Sequence, residues 1–297
     1  MRLQELGASG VQVSRVGLGC NNFGRRLDLE GTRAVVEAAL AEGITFLDTA
    51  DVYGDGDSER FLGEVLTGRR AEVVLATKFG FGGGGSSPAG SRDFIRRSLE
   101  ASLERLRTDY VDVYYYHRPD GVTPMAETIA ALRELVEEGR VRAIGISNVS
   151  VGQVEEAVEA GPVAAVQNEY SLVERSVEAD VLPRCRELGV GFVPYFPLAS
   201  GLLTGKYRRG EPPPSGSRLE GRPERLTEEA FDRIEALEEF ARARGHTLLE
   251  LAIAALASEP GVASVISGAT SPDQVQRNAA AADWELGEND REQLRQL

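Results

Sequence analysis

The chain has 297 residues, 42% of them hydrophobic, enough for a sizeable core and too many for a disordered chain. Its formal net charge is −14, the wrong sign for nucleic acid or an anionic membrane surface, so neither is expected as a partner. The two cysteines, Cys20 and Cys185, and the two histidines are scattered, which excludes a cysteine-dense disulfide scaffold and gives no zinc-ligand spacing.

The opening, MRLQELGASG, has no apolar signal-peptide core, and no apolar run approaches the roughly 20 residues that span a bilayer. A cytoplasmic location with reduced thiols is therefore expected. Residues 3–14, LQELGASGVQVS, read as a hairpin around Ser9-Gly10 that could plug the bottom of a barrel. Eight short apolar runs follow. The first four are VGLGC (16–20), ITFLDTA (44–50), VVLATKF (73–79) and VDVYYYH (111–117). The last four are VRAIGIS (141–147), VAAVQNE (163–169), VGFVPYF (190–196) and VASVISG (262–268). They are nearly continuous in apolar character, as strands buried on both faces are.

Amphipathic helices separate them. In RDFIRRSLEASLERL, Ile95, Leu99, Leu103 and Leu106 share one helical face, with Ser91 as N-cap. MAETIAALRELVEEG and AFDRIEALEEFARARG follow the same logic and stop at Gly139 and Gly245. Strand–helix alternation of about eight units predicts a (β/α)8 TIM barrel with an N-terminal hairpin, as a single domain over 1–297 because no long linker divides the chain. Two stretches, 79–92 and 207–227, exceed the usual connector length and emerge on the C-terminal face, where they are read as lids or substrate walls.

Asp48, Tyr53, Lys78 and His117 each fall at or just past the C-terminal end of a consecutive strand, so the barrel brings them together on the face where such folds do chemistry. Singly each has a plain reading: a loop lysine, a turn tyrosine, a strand-end aspartate, a loop histidine. Jointly they make a proton-donating site for a carbonyl oxygen. A phenol has an ordinary pKa near 10, which a neighbouring Lys78 ammonium would lower. Asp48 would hold that ammonium, and His117 would polarise the carbonyl.

At these residues the chain resembles the aldo-keto reductase family. The likeness runs from RLQELGASGVQVSRVGLGCNNFG through DTADVYGDGDSERFLGEVL, LATKFG and VDVYYYHRPD. It continues in VRAIGISN, AAVQNEYSL, PYFPLASGLLTGKY and SGATSPDQVQRN. The resemblance implies that Asp48, Tyr53, Lys78 and His117 are the catalytic residues of an NAD(P)H-dependent reductase of small aldehydes or ketones. It also implies that Ser147, Asn148 and Gln167 bind the nicotinamide carboxamide and that Tyr195 stacks on its ring. Pro197, Leu198, Gly201 and Lys206 would follow the pyrophosphate, and Gly268, Thr270, Gln274, Arg277 and Asn278 the adenosine end. Gly19 precedes a departure from the family's usual Thr-containing form, which would leave Cys20 and Asn21 lining the floor.

Relatives often place an Arg just after the last strand to hold the 2′-phosphate. Here that stretch is Gly-Ala-Thr-Ser and the nearest Arg is Arg277. NADP(H) is expected to be preferred, with NAD(H) also accepted. Two alternatives stay open: a lyase using Lys78 as a Schiff-base nucleophile, and a cofactor-holding sensor or accessory subunit. With no extra N-terminal segment, no obligate protein partner is expected.

Overall fold

The computed structural model describes residues 1–81 and 87–297. It opens with an antiparallel hairpin of β1 (Leu3–Glu5) and β2 (Gln12–Ser14). Eight parallel strands follow: β3 (Val16–Gly19), β4 (Phe46–Asp48), β5 (Val74–Phe79), β6 (Val111–Tyr116), β7 (Val141–Ser147), β8 (Ala165–Gln167), β9 (Gly191–Phe192) and β10 (Val265–Gly268). From β3 to β8 each pairs with the next in chain order, and β10 pairs with β3. Backbone bonds close the ring between the last two: Phe192 N–H to the Gly261 carbonyl (2.8 Å), Ala263 N–H to that of Phe192 (2.8 Å) and Ile266 N–H to that of Pro194 (2.9 Å). The predicted (β/α)8 barrel is what forms.

Every predicted run holds one of these strands. The seventh is only two residues long because Pro194 has no N–H to give the ladder. Strand alternation explains the three consecutive tyrosines of β6. Val113 and Tyr115 point into the barrel with Phe46, Ala76, Ala143 and Ala165. Tyr114 and Tyr116 face the helices, and Phe79 stacks on Tyr116 at 5.1 Å between centroids. Tyr115 needs room that only Gly145 leaves, since a Cβ there would sit 2.3 Å from the ring.

The hairpin does plug the bottom. Leu6 and Val13 complete the interior cluster, and the Gln4 side chain donates to the Ala263 carbonyl at 2.6 Å. Gly7 passes so close that a Cβ would meet the Ala164 carbonyl oxygen at 2.5 Å, at a positive φ of 59°.

The helix Arg92–Leu106 buries Ile95, Leu99, Leu103 and Leu106 as expected. Ser91 occupies its N-cap but donates to the Pro88 carbonyl instead of capping. Helix Met125–Glu137 is followed by Gly139 at φ 72°, and Glu228–Arg242 by Gly245 at φ 79°. A further helix, Leu248–Ala257, is apolar on all sides, so its face pattern is weak. Its start carries the signal, a Thr247–Glu250 capping box.

The stretch 207–227 is tied down rather than loose. Tyr207 and Leu219 are buried, and Arg209 reaches Asp232 (2.6 Å) and Glu235 (3.0 Å) on the adjoining helix. From its middle, Arg218 donates to the Asn22 side chain at 2.9 Å, crossing to the loop after β3. Of the stretch 79–92, residues 82–86 lie outside the described residues. Among the described residues, no helix is long and apolar enough to cross a membrane.

Candidate active site

Asp48 ends β4, and the chain then turns through Thr49–Val52 to present Tyr53. The turn is fixed from behind by Asp51 N–H to the Lys78 carbonyl (3.2 Å) and Tyr53 N–H to that of Ala50 (3.1 Å). Gly54 follows at φ 59°, where a Cβ would meet the Phe23 carbonyl oxygen at 2.7 Å. Lys78 points into the barrel from β5 and is fully buried. Its Nζ donates to Asp48 Oδ1 at 2.5 Å and to the Thr49 carbonyl at 2.9 Å. That Nζ lies 5.2 Å from the Tyr53 ring centroid. His117, just past β6, meets Tyr53 edge-on with ring centroids 6.1 Å apart.

Burial works against the Lys78 charge, but Asp48 and then Tyr53 outweigh it, so the ammonium pKa is raised. Burial likewise raises the Tyr53 phenol pKa. Lys78 pulls it down and Asp48 pushes it up again. The expected depression of the Tyr53 pKa is therefore corrected: burial outweighs the lysine's field, and the Asp48 charge adds to the rise. Burial, then Lys78 and Arg118, push His117 down to about 3, leaving a neutral imidazole whose buried Nδ1 has no partner among the described residues.

These groups open onto a cavity of about 760 Å³ at the C-terminal face. Asp48, Tyr53 and His117 line it, and Lys78 lies beneath its floor. Gln167, ending β8, donates from Nε2 to Asp48 Oδ2 at 2.9 Å. Ser147, ending β7, donates to the Gln167 carbonyl at 2.7 Å. Asn148, at φ 58°, donates to the His117 carbonyl (2.9 Å) and accepts from the Tyr195 hydroxyl (2.7 Å), so its amide is committed to the wall.

Gly19, Asn21, Pro197, Leu198, Gly201 and Lys206 continue the lining. Gly268, Thr270, Gln274, Arg277 and Asn278 complete the predicted set at the far end. There the Gln274 amide oxygen accepts from the Thr270 N–H at 2.8 Å. Cys20 is the exception. It is fully buried, its thiol turned to the Leu18 carbonyl, and burial followed by the Asp48 charge pushes its pKa well up. The expectation that it lines the floor fails because Cys20 continues the β3 alternation: it shares the helix-facing core with Val16 and Leu18, while Gly19 faces the cavity.

The lining also includes residues the sequence reading passed over: Asn22, Arg25, Arg26, Phe81, Arg118 and Arg218. The Asn21-Asn22-Phe23-Gly24-Arg25-Arg26 run was the available signal for the first three, an uncommonly basic turn in an acidic chain.

The family model described as the Aldo/keto reductase family matches residues 15–297. The chain belongs to that family. Its relatives include a protein of Arabidopsis thaliana named a probable voltage-gated potassium channel subunit beta, 38% identical over 95% of this chain and 92% of its own length. A second, from Glycine max, is named probable aldo-keto reductase 1 and is 36% identical over 96% and 86%. Among solved structures, an aldo-keto reductase from Bacillus halodurans in its holo form superposes with a TM-score of 0.85 at 32% identity, covering 100% of this chain and 96% of that one. As an aldo/keto reductase, the protein is an oxidoreductase of carbonyl groups that works with a nicotinamide cofactor.

The residues present fit such a dinucleotide. Ser267 Oγ on the cavity wall is buried without a partner among the described residues. A Cβ on Gly201 would sit 2.9 Å from Lys206 Nζ, so the glycine leaves space for that ammonium beside the cleft. Arg277 and Arg218 add cationic donors along the same side.

Proposed function

We propose that the protein is an NADPH-dependent carbonyl reductase, a single barrel domain acting in the cytoplasm, in which Tyr53 gives the proton. What carries this reading is the meeting of Tyr53, His117 and the Lys78–Asp48 pair at one end of a cleft suited to a dinucleotide. The nicotinamide, when bound, supplies a hydride to the carbonyl carbon. Tyr53 then donates its phenolic proton to the oxygen, and a neutral His117 offers its one N–H to that same oxygen. Lys78 is the cation beside the phenol that steadies the charge left behind, and Asp48 keeps it oriented. Gln167, Ser147 and Asn148 shape the carboxamide end, Tyr195 gives the ring its stacking face, and Lys206 supplies charge for the pyrophosphate.

Arg277, exposed beside the adenosine end, supports a preference for NADPH over NADH. Titration of both cofactors tests this: Arg277→Ala should weaken NADPH more than NADH, by roughly 1–3 kcal/mol. Equal losses would remove the 2′-phosphate assignment. For the chemistry, Tyr53→Phe should bind NADPH normally while aldehyde reduction falls on the order of 10²–10⁴-fold. Near wild-type turnover in that variant would end the proposal.

The Schiff-base alternative is disfavoured because the Lys78 ammonium is held charged by two hydrogen bonds in a dry setting. A role as an accessory subunit draws support from the plant relatives named as potassium channel β subunits. Tightly retained NADPH with negligible turnover across an aldehyde panel would favour it.

A further inference from the structure

The cations around the cleft fall into two groups. Lys206, Arg218 and Arg277 lie along the proposed dinucleotide track, with Arg25 and Arg26 near Arg218. Arg118 stands apart, next to His117 at the reacting end. It is exposed, lines the cavity, and has no ion-pair partner among the described residues. Residues 82–86, four glycines and a serine, bring no acid in their side chains. Several other arginines are paired, as in Arg70 with Asp112 at 2.7 Å and Arg105 with Glu59 at 2.7 Å, so Arg118 is set apart by its place beside His117.

The surroundings of Arg118 say what it would hold. Its guanidinium carbon is 5.3 Å from the Phe81 ring centroid, and that ring is 4.7 Å from the His117 ring. The cation and the imidazole that faces the carbonyl thus touch the same aromatic side chain, which is 45% exposed. A molecule reaching from one to the other is short, with apolar carbons able to lie on Phe81. Glu169, an exposed acid of the same lining, stands with Glu174 and Arg225. Its carboxyl is pushed up by burial and then by Glu174.

We infer that the substrates are short aldehydes or ketones bearing a carboxylate, held at that end by Arg118 while Phe81 covers the intervening carbons. This rests on the reductase reading above. The reaction is unchanged in its balance: the carbonyl carbon gains a hydride from NADPH, its oxygen gains a proton, NADP⁺ leaves, and the carboxylate is untouched. A guanidinium binds a carboxylate through two parallel N–H···O bonds, a geometry lysine cannot copy.

The experiment compares 4-oxobutanoate with butanal, the same chain with and without the anion, using NADPH and the full-length protein. Wild type should show a kcat/KM ratio well above one in favour of 4-oxobutanoate. Arg118→Gln should lower that ratio about 10- to 100-fold, mainly through KM, and Arg118→Lys should retain part of it. A wild-type ratio at or below one, or a ratio unmoved by Arg118→Gln while butanal is still reduced, overturns the inference and leaves the reductase reading standing. A folded, NADPH-binding protein that reduces neither compound nor any other aldehyde removes both.

Discussion

Gln167 donates from its Nε2 to Asp48 Oδ2 at 2.9 Å, joining positions 119 residues apart across the top of the barrel. An ionised carboxylate only accepts, so the amide NH₂ must face Asp48 and the amide oxygen is turned elsewhere. Because the other Asp48 oxygen carries Lys78, one carboxylate orients both the cation beside the phenol and the side chain proposed to meet the carboxamide.

Removing that link should separate binding from chemistry. Gln167→Ala is expected to weaken NADPH by roughly 1–2 kcal/mol through loss of a buried polar contact. It should lower turnover less than Tyr53→Phe does. Fluorescence titration and saturating-substrate rates measure the two effects. Unchanged cofactor affinity would place Gln167 outside the binding surface.

The Lys78–Asp48 pair is buried, so breaking it should cost stability as well as rate. Lys78→Met leaves a carboxylate without its cation and should destabilise by about 3–5 kcal/mol in urea unfolding. The double variant Lys78→Met/Asp48→Asn should lose clearly less than the sum of the two single losses. Additive losses would mean that the two side chains do not act as a pair.

The pH profile follows from the directions of the shifts. In the proposed mechanism reduction needs the Tyr53 proton, and a raised phenol pKa keeps that proton in place throughout the neutral range. His117, near 3, stays neutral there as well. Aldehyde reduction at saturating NADPH should therefore be flat from about pH 5 to pH 9 and fall only at higher pH. Alcohol oxidation needs the phenolate and should climb about tenfold per pH unit across the same range. A reduction rate that halves near pH 7 would contradict both assignments.

Asp51 offers a test away from the chemistry. Burial and then Glu59 raise its carboxyl pKa to about 7, and its Oδ1 is buried without a partner among the described residues. A carboxyl raised in the folded state stabilises below its unfolded pKa and loses that contribution as pH climbs through 7. Asp51→Asn should gain about 2–3 kcal/mol relative to wild type on going from pH 4 to pH 8. Unfolding curves at both pH values decide it, and a difference that stays constant would show Asp51 titrating normally.

The barrel was legible because parallel strands are apolar on both faces, and each of the eight runs contains its strand. The proposed catalytic residues were legible for a related reason: Asp48, Lys78 and His117 stand near the end of a run and Tyr53 just beyond one. What lay hidden was set by tertiary neighbours. Nothing in VVLATK says that the Lys78 charge is matched by Asp48 and that burial governs Tyr53. Cys20 lies one residue beyond β3, and the alternation it continues from Val16 and Leu18 carries it into the helix-facing core. Arg118 carries no signal of its own in VDVYYYHRPD. Its place against Phe81 depends on how two separate loops come together.

The cluster of arginines and Lys206 around the cleft sits in a chain of net charge −14, and this opposition acts on rates. An approaching anion meets repulsion first and attraction only close to the mouth. Fields from distant charges fade within a screening length of about 8 Å at physiological salt, while contacts at the mouth persist. Moderate salt should therefore speed the arrival of an anionic cofactor and shorten its stay, so that association and dissociation respond to ionic strength in the same direction.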